Sequence, residues 1–277
     1  MAHVELSDAR IDYEDRGSGR PVVCVHGYLA AGDLWDDVAP PLVDHGYRVL
    51  TPTWPLGAHR HPLPESSARS PLAHAGRIAA FLEALDLRDV VLLGNDSGGA
   101  LCQLVVAHHP ERVGALVLTN CDVFENFPPS FFKPLRAIAR SRLAFSAVAR
   151  SVQIGAFRRA PTGFGLLSHA PIDDRAARWV RPIVENAQVR EDTRLLTREM
   201  HPAPLLAATE RLRRFDRPVL LAWGTDDRLF PTHDAERLAA IFPDARVELV
   251  DDSRTFVMVD QPGRLADLVA AFAPVTT

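Results

Sequence analysis

The sequence predicts an α/β fold, a mostly parallel central sheet with helices on both faces and one helical insertion, and three observations carry that expectation. Short runs of aliphatic and β-branched residues recur along the chain. Stretches with helically spaced apolar residues follow them. The alternation stops once, between residues 123 and 205, and then resumes.

Val22-Val23-Cys24-Val25 is the first run and ends at His26-Gly27; Tyr47-Arg48-Val49-Leu50 is the second, with an amphipathic segment from Leu34 to Val43 between them. Continuous apolar runs, without polar alternation, mark strands buried on both faces, as parallel strands are. Val90 to Leu93 follows a helical stretch from Leu72 to Leu85, and Ala115 to Leu118 follows another from Ala100 to His108. Beyond Asp122 the strand signal disappears, and apolar residues recur at helical spacing through Phe131 to Arg150 and Arg175 to Val189. Strands return at Pro218 to Ala222 and Val247 to Val250, before a closing helix from Gly263 to Phe272. Residues 1–122 and 206–277 therefore read as one core, and 123–205 as a helical cap, or lid, inserted into it.

The composition fits this reading. Hydrophobic residues make up 47% and charged residues 24% of 277, the balance of a folded globular chain. A net charge of -4 offers no electrostatic reason to expect a nucleic-acid partner. The insertion differs from the rest, with thirteen Lys or Arg against seven Asp or Glu, which suits either a solvated arginine face or attraction to an anionic substrate or acidic surface. Cys24, Cys102 and Cys121 each lie in an apolar run, so buried thiols are expected. No metal site and no cofactor are expected. The N-terminus lacks a basic and apolar leader, and no stretch is apolar enough to span a membrane, so the expectation is a cytoplasmic monomer or homodimer with a small-molecule substrate and no membrane partner.

The chemistry should sit at Gly94-Asn95-Asp96-Ser97-Gly98-Gly99, directly after the third run and before a helix. A sharp turn from strand to helix presses the positions two before and two after its central residue against neighbouring backbone, which calls for small residues there. Gly94 and Gly98 flank Asp96 in this way, whereas centring the turn on Ser97 would place Asn95 at a small position.

On these residues the chain resembles the α/β-hydrolase superfamily, and within it the aspartate-nucleophile branch of haloalkane dehalogenases and epoxide hydrolases. Pro110-Glu111-Arg112-Val113 stands at the family's spacing from Asp96, and His26-Gly27 at the family's upstream loop. The resemblance implies that Asp96 is the nucleophile and that the backbone N–H groups of Tyr28 and Ser97 form the oxyanion hole. It also implies an acid in Gly224-Thr225-Asp226-Asp227-Arg228-Leu229-Phe230-Pro231, where Asp227 lies four residues before the proline; Asp226, Asp122 and Asn120 are alternatives. His26 and Trp179 are candidates for the substrate pocket, with His26 more in character as a brace for its loop.

One departure limits what the resemblance implies. The loop before the last helix should hold a histidine seven residues ahead of a proline, and Thr255 stands there, ahead of Pro262. An aspartate that displaces a leaving group becomes an ester, and water must be activated to release it. Threonine is not a base near neutral pH, though its hydroxyl can bond to Asp227 or hold water. Dehalogenases usually carry tryptophan where Ser97 stands, and all three tyrosines, Tyr13, Tyr28 and Tyr47, lie outside the insertion. Three functions follow as alternatives: a hydrolase of a small, mostly apolar molecule with a substitute base such as His169 or His201, a cyclase, isomerase or lyase using Asp96 as acid and base, or a binding protein with a degenerate triad.

Overall fold

The computed structural model describes residues 1–275. Eight strands form one sheet in the order β1-β2-β4-β3-β5-β6-β7-β8. The chain opens with β1 (Ala2–Glu5) and β2 (Arg10–Gly17), an antiparallel pair, and continues through β3 (Pro21–Val25), α1 (Ala39–Asp44), β4 (Arg48–Pro52), α2 (Pro71–Ala84), β5 (Val90–Asp96), α3 (Ser97–His108) and β6 (Val113–Cys121). Strands β4, β3, β5, β6, β7 and β8 run parallel to one another, and β2 pairs antiparallel with β4. Every residue of β6 is buried, as are the first six of β5, because helices cover both faces of the sheet.

Local sequence sets the helix starts. Ser70 caps α2, its hydroxyl accepting from the Ala73 N–H, and Pro71 occupies the first position, where no amide donor is needed. Helix α3 begins immediately after the turn at Asp96 and is buried from Ser97 to Ala107. It is the central helix under the sheet.

Between β6 and β7 (Val219–Gly224) the chain forms only helices: α4 (Lys133–Ile138), α5 (Arg142–Ser151), α6 (Gly155–Arg158), α7 (Asp173–Glu185), α8 (Ala187–Glu199) and α9 (Ala203–Leu212). Helix α9 packs on α3, whereas α4 and α5 pack on α8, and α5 and α6 on α7. The chain closes with α10 (Thr232–Ala239), β8 (Ala245–Val250), α11 (Val257–Asp260) and α12 (Pro262–Phe272).

Four polar anchors bind the helical segment to the sheet side. Asp192 of α8 accepts from Arg69 at 2.7 Å and from the Leu63 N–H at 2.9 Å, with His59 at 3.4 Å. Asp37 holds Arg175 in a two-pronged pair at 2.6 and 2.8 Å. Asp33 takes the Trp179 indole N–H and Arg178. Asp260 accepts from the Ser168 hydroxyl and from the N–H groups of His169, Ala170 and Arg254, at 2.6 to 3.1 Å.

The three cysteines are free and buried. Among the described residues no helix is long and apolar enough to cross a membrane, and no cluster of three or more His, Cys, Asp or Glu could hold a metal ion.

Candidate active site

The site is built at the C-terminal ends of the central strands. In register, Val25 of β3 stands beside Gly94 of β5, and Asp96 beside Cys121 of β6. At Asp96 the backbone turns to φ 53° and ψ -135°, a left-handed conformation that costs about 1–3 kcal/mol in a residue other than glycine. The turn is held by close packing on both sides. A Cβ on Gly94 would lie 2.6 Å from Cys102 Sγ, and one on Gly98 would run into the carbonyl oxygens of Val25 and His26. Because those oxygens are backbone at and just past the end of β3, they cannot yield as a flexible side chain would. Gly98→Ala is therefore expected to destabilise the protein by about 3 kcal/mol or more, read as a lower urea midpoint.

The turn lays the Asp96 carboxyl against Gly27, close enough that a Cβ there would overlap it. Asp96 itself is half-buried. The backbone N–H groups of Ser97 and Tyr28 favour its ionised form. Tyr28 N–H also lies 2.8 Å from the Ser97 hydroxyl, which accepts from it, and the Tyr28 phenol contacts Thr197 Oγ1 of α8 at 2.7 Å. Burial pushes the Asp96 carboxyl up to about 7; the two N–H groups oppose that shift, and the charge of Asp227 adds to it.

Asp227 lies in the loop after β7. One carboxylate oxygen accepts from the N–H groups of Leu229 and Phe230, at 2.7 and 3.2 Å, and the other accepts from the Thr255 hydroxyl at 2.9 Å. Burial raises Asp227 to about 6 against the pull of these donors. Thr255 is fully enclosed, and its carbonyl accepts from the Asn95 side chain at 2.7 Å. Asn95 thereby ties the residue before the turn to the loop carrying Thr255. Asn120 braces the other side, bonding both backbone groups of Gly224 at 2.6 and 3.1 Å and facing Asp227.

The structure thus brings Asp96, Tyr28, Ser97, Asp227 and Thr255 together. His26 sits as a brace for its loop. It is wholly buried, Nδ1 donates to the Gly27 carbonyl at 2.9 Å and Nε2 accepts from the Trp54 N–H at 2.8 Å, so both nitrogens hold backbone and none faces a ligand. Burial lowers its pKa to about 4, which keeps it neutral. Trp179 likewise has its N–H engaged by Asp33, and its ring packs with Phe164 and Phe256 at centroid distances of 5.7 and 6.1 Å. His169 meets Asp226 at 2.9 Å on the exposed side of the loop, away from Asp96.

Asp122, one of the alternative acids, is enclosed, and neither carboxyl oxygen has a hydrogen-bond partner among the described residues. Burial first, then neighbouring Asp96, holds it well above the usual carboxylate range. The bracing roles of Asn95 and Asn120 had one available signal, polarity near the ends of apolar strands, since a buried amide must find partners. Asp33, in the turn after β3, carried none.

A family model described as the alpha/beta hydrolase fold matches residues 20–262. The chain belongs to the α/β-hydrolase fold family. It is 30% identical to haloalkane dehalogenase 2 of Mycobacterium tuberculosis, over 95% of this chain and 91% of that protein. It is 32% identical to a non-heme chloroperoxidase of Streptomyces lividans, over 85% of each. Among solved structures, an α/β-hydrolase fold protein from Burkholderia ambifaria superposes with a TM-score of 0.79 at 22% identity, covering 98% of this chain and 99% of that one. A thermophilic esterase from Thermogutta terrifontis does so at 0.74 and 19%, covering 98% and 97%. These structures share the α/β-hydrolase fold, and the dehalogenase relatives support a hydrolase-type enzyme.

Proposed function

We propose that this α/β-hydrolase acts on a small, mostly apolar organic substrate, with Asp96 as nucleophile and with Asp227 drawing a proton from water through Thr255. The carrying observation is a carboxyl set on a strained turn at the end of β5 and laid against Gly27, with its pKa raised by burial. In this reading the N–H groups of Ser97 and Tyr28 hold one Asp96 oxygen and leave the other to attack. In the first step that oxygen bonds to a substrate carbon while the bond to the leaving heteroatom breaks, giving an alkyl ester and a departing anion. In the second, water adds to the Asp96 carboxyl carbon, and the held oxygen takes the negative charge beside the N–H groups of Ser97 and Tyr28. The proton from water passes to Thr255 Oγ as the hydroxyl gives its own to Asp227. The ester C–O bond then breaks, and the product alcohol recovers that proton. In the same reading, residues 123–205 act as a lid, and Phe164, Trp179 and Phe256 supply apolar cover beside Thr255.

A carboxylate with a pKa near 6 is a weaker base than imidazole, so the ester should outlast its formation. Intact-mass measurement after mixing with panels of haloalkanes, epoxides and esters is expected to find an adduct on Asp96 with at least one class. Thr255→Val keeps the shape and removes the relay, and should slow breakdown of that adduct about 10²-fold while leaving its formation unchanged. Both carboxylates must be ionised to work, so kcat/KM should rise with pH through the range 6 to 7 and level above it, the pair titrating jointly. Turnover without any adduct, falling as pH rises through 7, would refute nucleophilic catalysis. It would point to the second reading, in which a carboxyl near 7 shuttles a proton in a cyclase, isomerase or lyase.

A further inference from the structure

The basic character of the helical insertion plays no part in the chemistry at Asp96. Residues 126–172 contain seven Lys or Arg and no Asp or Glu, in a chain whose acids outnumber its Lys and Arg by four. The same stretch exposes Phe131, Leu143, Ile154 and Phe157, with Leu143 at 85%. The other large exposed apolar side chains among the described residues, Met1, Leu72, Leu206 and Leu249, are scattered over the remaining chain. One sixth of the molecule thus holds half of these residues, together with an unbroken positive sign.

The helices arrange these groups on one side. Helices α4, α5 and α6 form the outer layer, resting on α7 and α8. On α5, Phe145 and Ala149 are buried against that inner layer, whereas Leu143, Ala147 and Arg150 recur at i, i+4 and i+7 on the opposite, exposed face. Arg142 is paired with Glu191 and Arg159 with Asp173. Lys133, Arg136, Arg140 and Arg150 are exposed and meet no carboxylate among the described residues.

We propose that the outer face of α4 to α6 docks the protein on an anionic phospholipid surface. Protruding aliphatic and aromatic side chains enter the boundary between headgroups and acyl chains, and the unpaired cations meet the lipid phosphates. A nucleic acid would be met by the cations alone, with no use for an exposed leucine and isoleucine. The earlier expectation of no membrane partner came from the lack of a spanning segment, and surface docking needs none. The proposal is independent of the reaction at Asp96.

Flotation of the full chain with vesicles tests it. The protein should rise with vesicles of equal parts phosphatidylglycerol and phosphatidylcholine, stay behind with phosphatidylcholine alone, and be released in near-molar salt. Arg140→Glu with Arg150→Glu should lower partitioning at least about 25-fold, at about fivefold per cation near the surface. Leu143→Ser with Phe157→Ser should lower it about tenfold or more. Both pairs are exposed, so thermal unfolding should stay near that of the unaltered protein. Equal binding to neutral vesicles, binding to neither, or binding indifferent to the Leu143 and Phe157 changes would each overturn the proposal. So would vesicle-free self-association abolished by Arg150→Glu, which would give the face to a second copy of the chain.

Discussion

Asp96→Asn should lower turnover by about 10⁴-fold or more, abolish the covalent adduct, and make the protein more stable at neutral pH. The last effect follows from the sign of the shift. Burial raises the folded carboxyl from 3.8 to about 7, so between those values the folded state binds more protons than the unfolded one. Stability therefore falls as pH rises through that window, and the full penalty is present above pH 7. Asparagine keeps an acceptor for the Ser97 and Tyr28 N–H groups and has nothing to ionise. The variant should match the parent near pH 4 and exceed it by on the order of 2–4 kcal/mol above pH 7, read from urea unfolding at several pH values. A gain in stability with full turnover retained would leave a buried carboxyl without a catalytic role. Loss of turnover with no such gain would mean that Asp96 is better solvated than its surroundings imply.

The parallel core was legible in the sequence because its strands are buried on both faces and read as unbroken apolar runs. Five of the six predicted runs lie wholly or almost wholly within β3, β5, β6, β7 and β8, and Tyr47 to Leu50 begins one residue before β4. The antiparallel β1 and β2 were not predicted. In β2 the alternation is present, with Ile11 and Tyr13 buried between exposed or half-buried polar residues, but half-covered strands toward the side of the sheet give a weaker signal than central ones. The turn at Asp96 was legible for a different reason: only glycine fits beside it, so sterics write themselves into the sequence.

The bracing of the site was not legible. Asn95 was weighed only as a poor fit for a small position, whereas its amide reaches Thr119, Asn120 and Thr255 across three segments. A side chain's partners at sequence separations of 24 to 160 residues are set by the sheet order, which local pattern does not contain. The roles of His26 and Trp179 were hidden likewise. Residue type suggests a loop brace or pocket residue for His26 and a pocket residue for Trp179, but the partners that hold them, Trp54 and Asp33, come only with the packed chain.

Asp192→Ala should cost about 3–5 kcal/mol, the largest loss of stability from any single change outside the glycines. Asp192 stands on α8, and its partners Arg69, His59 and Leu63 lie on the segment between β4 and α2, so the cluster joins the helical insertion to the core. Burial alone would raise this carboxyl; His59, Arg69 and the Leu63 N–H reverse that and hold it below its ordinary value. Removing it strands a buried guanidinium and a buried N–H together. The penalty is one of desolvation without compensation, so it should shrink when the guanidinium is removed as well. Arg69→Leu combined with Asp192→Leu is expected to be more stable than Asp192→Ala alone, measured by urea unfolding at pH 7. If the two losses simply add, the cluster contributes by packing and the insertion is not pinned by charge. Because Thr193 and Thr197 lie within a turn or so of Asp192 on α8, and Thr197 contacts Tyr28 at the site, the single variant should also weaken substrate binding more than it slows the covalent step.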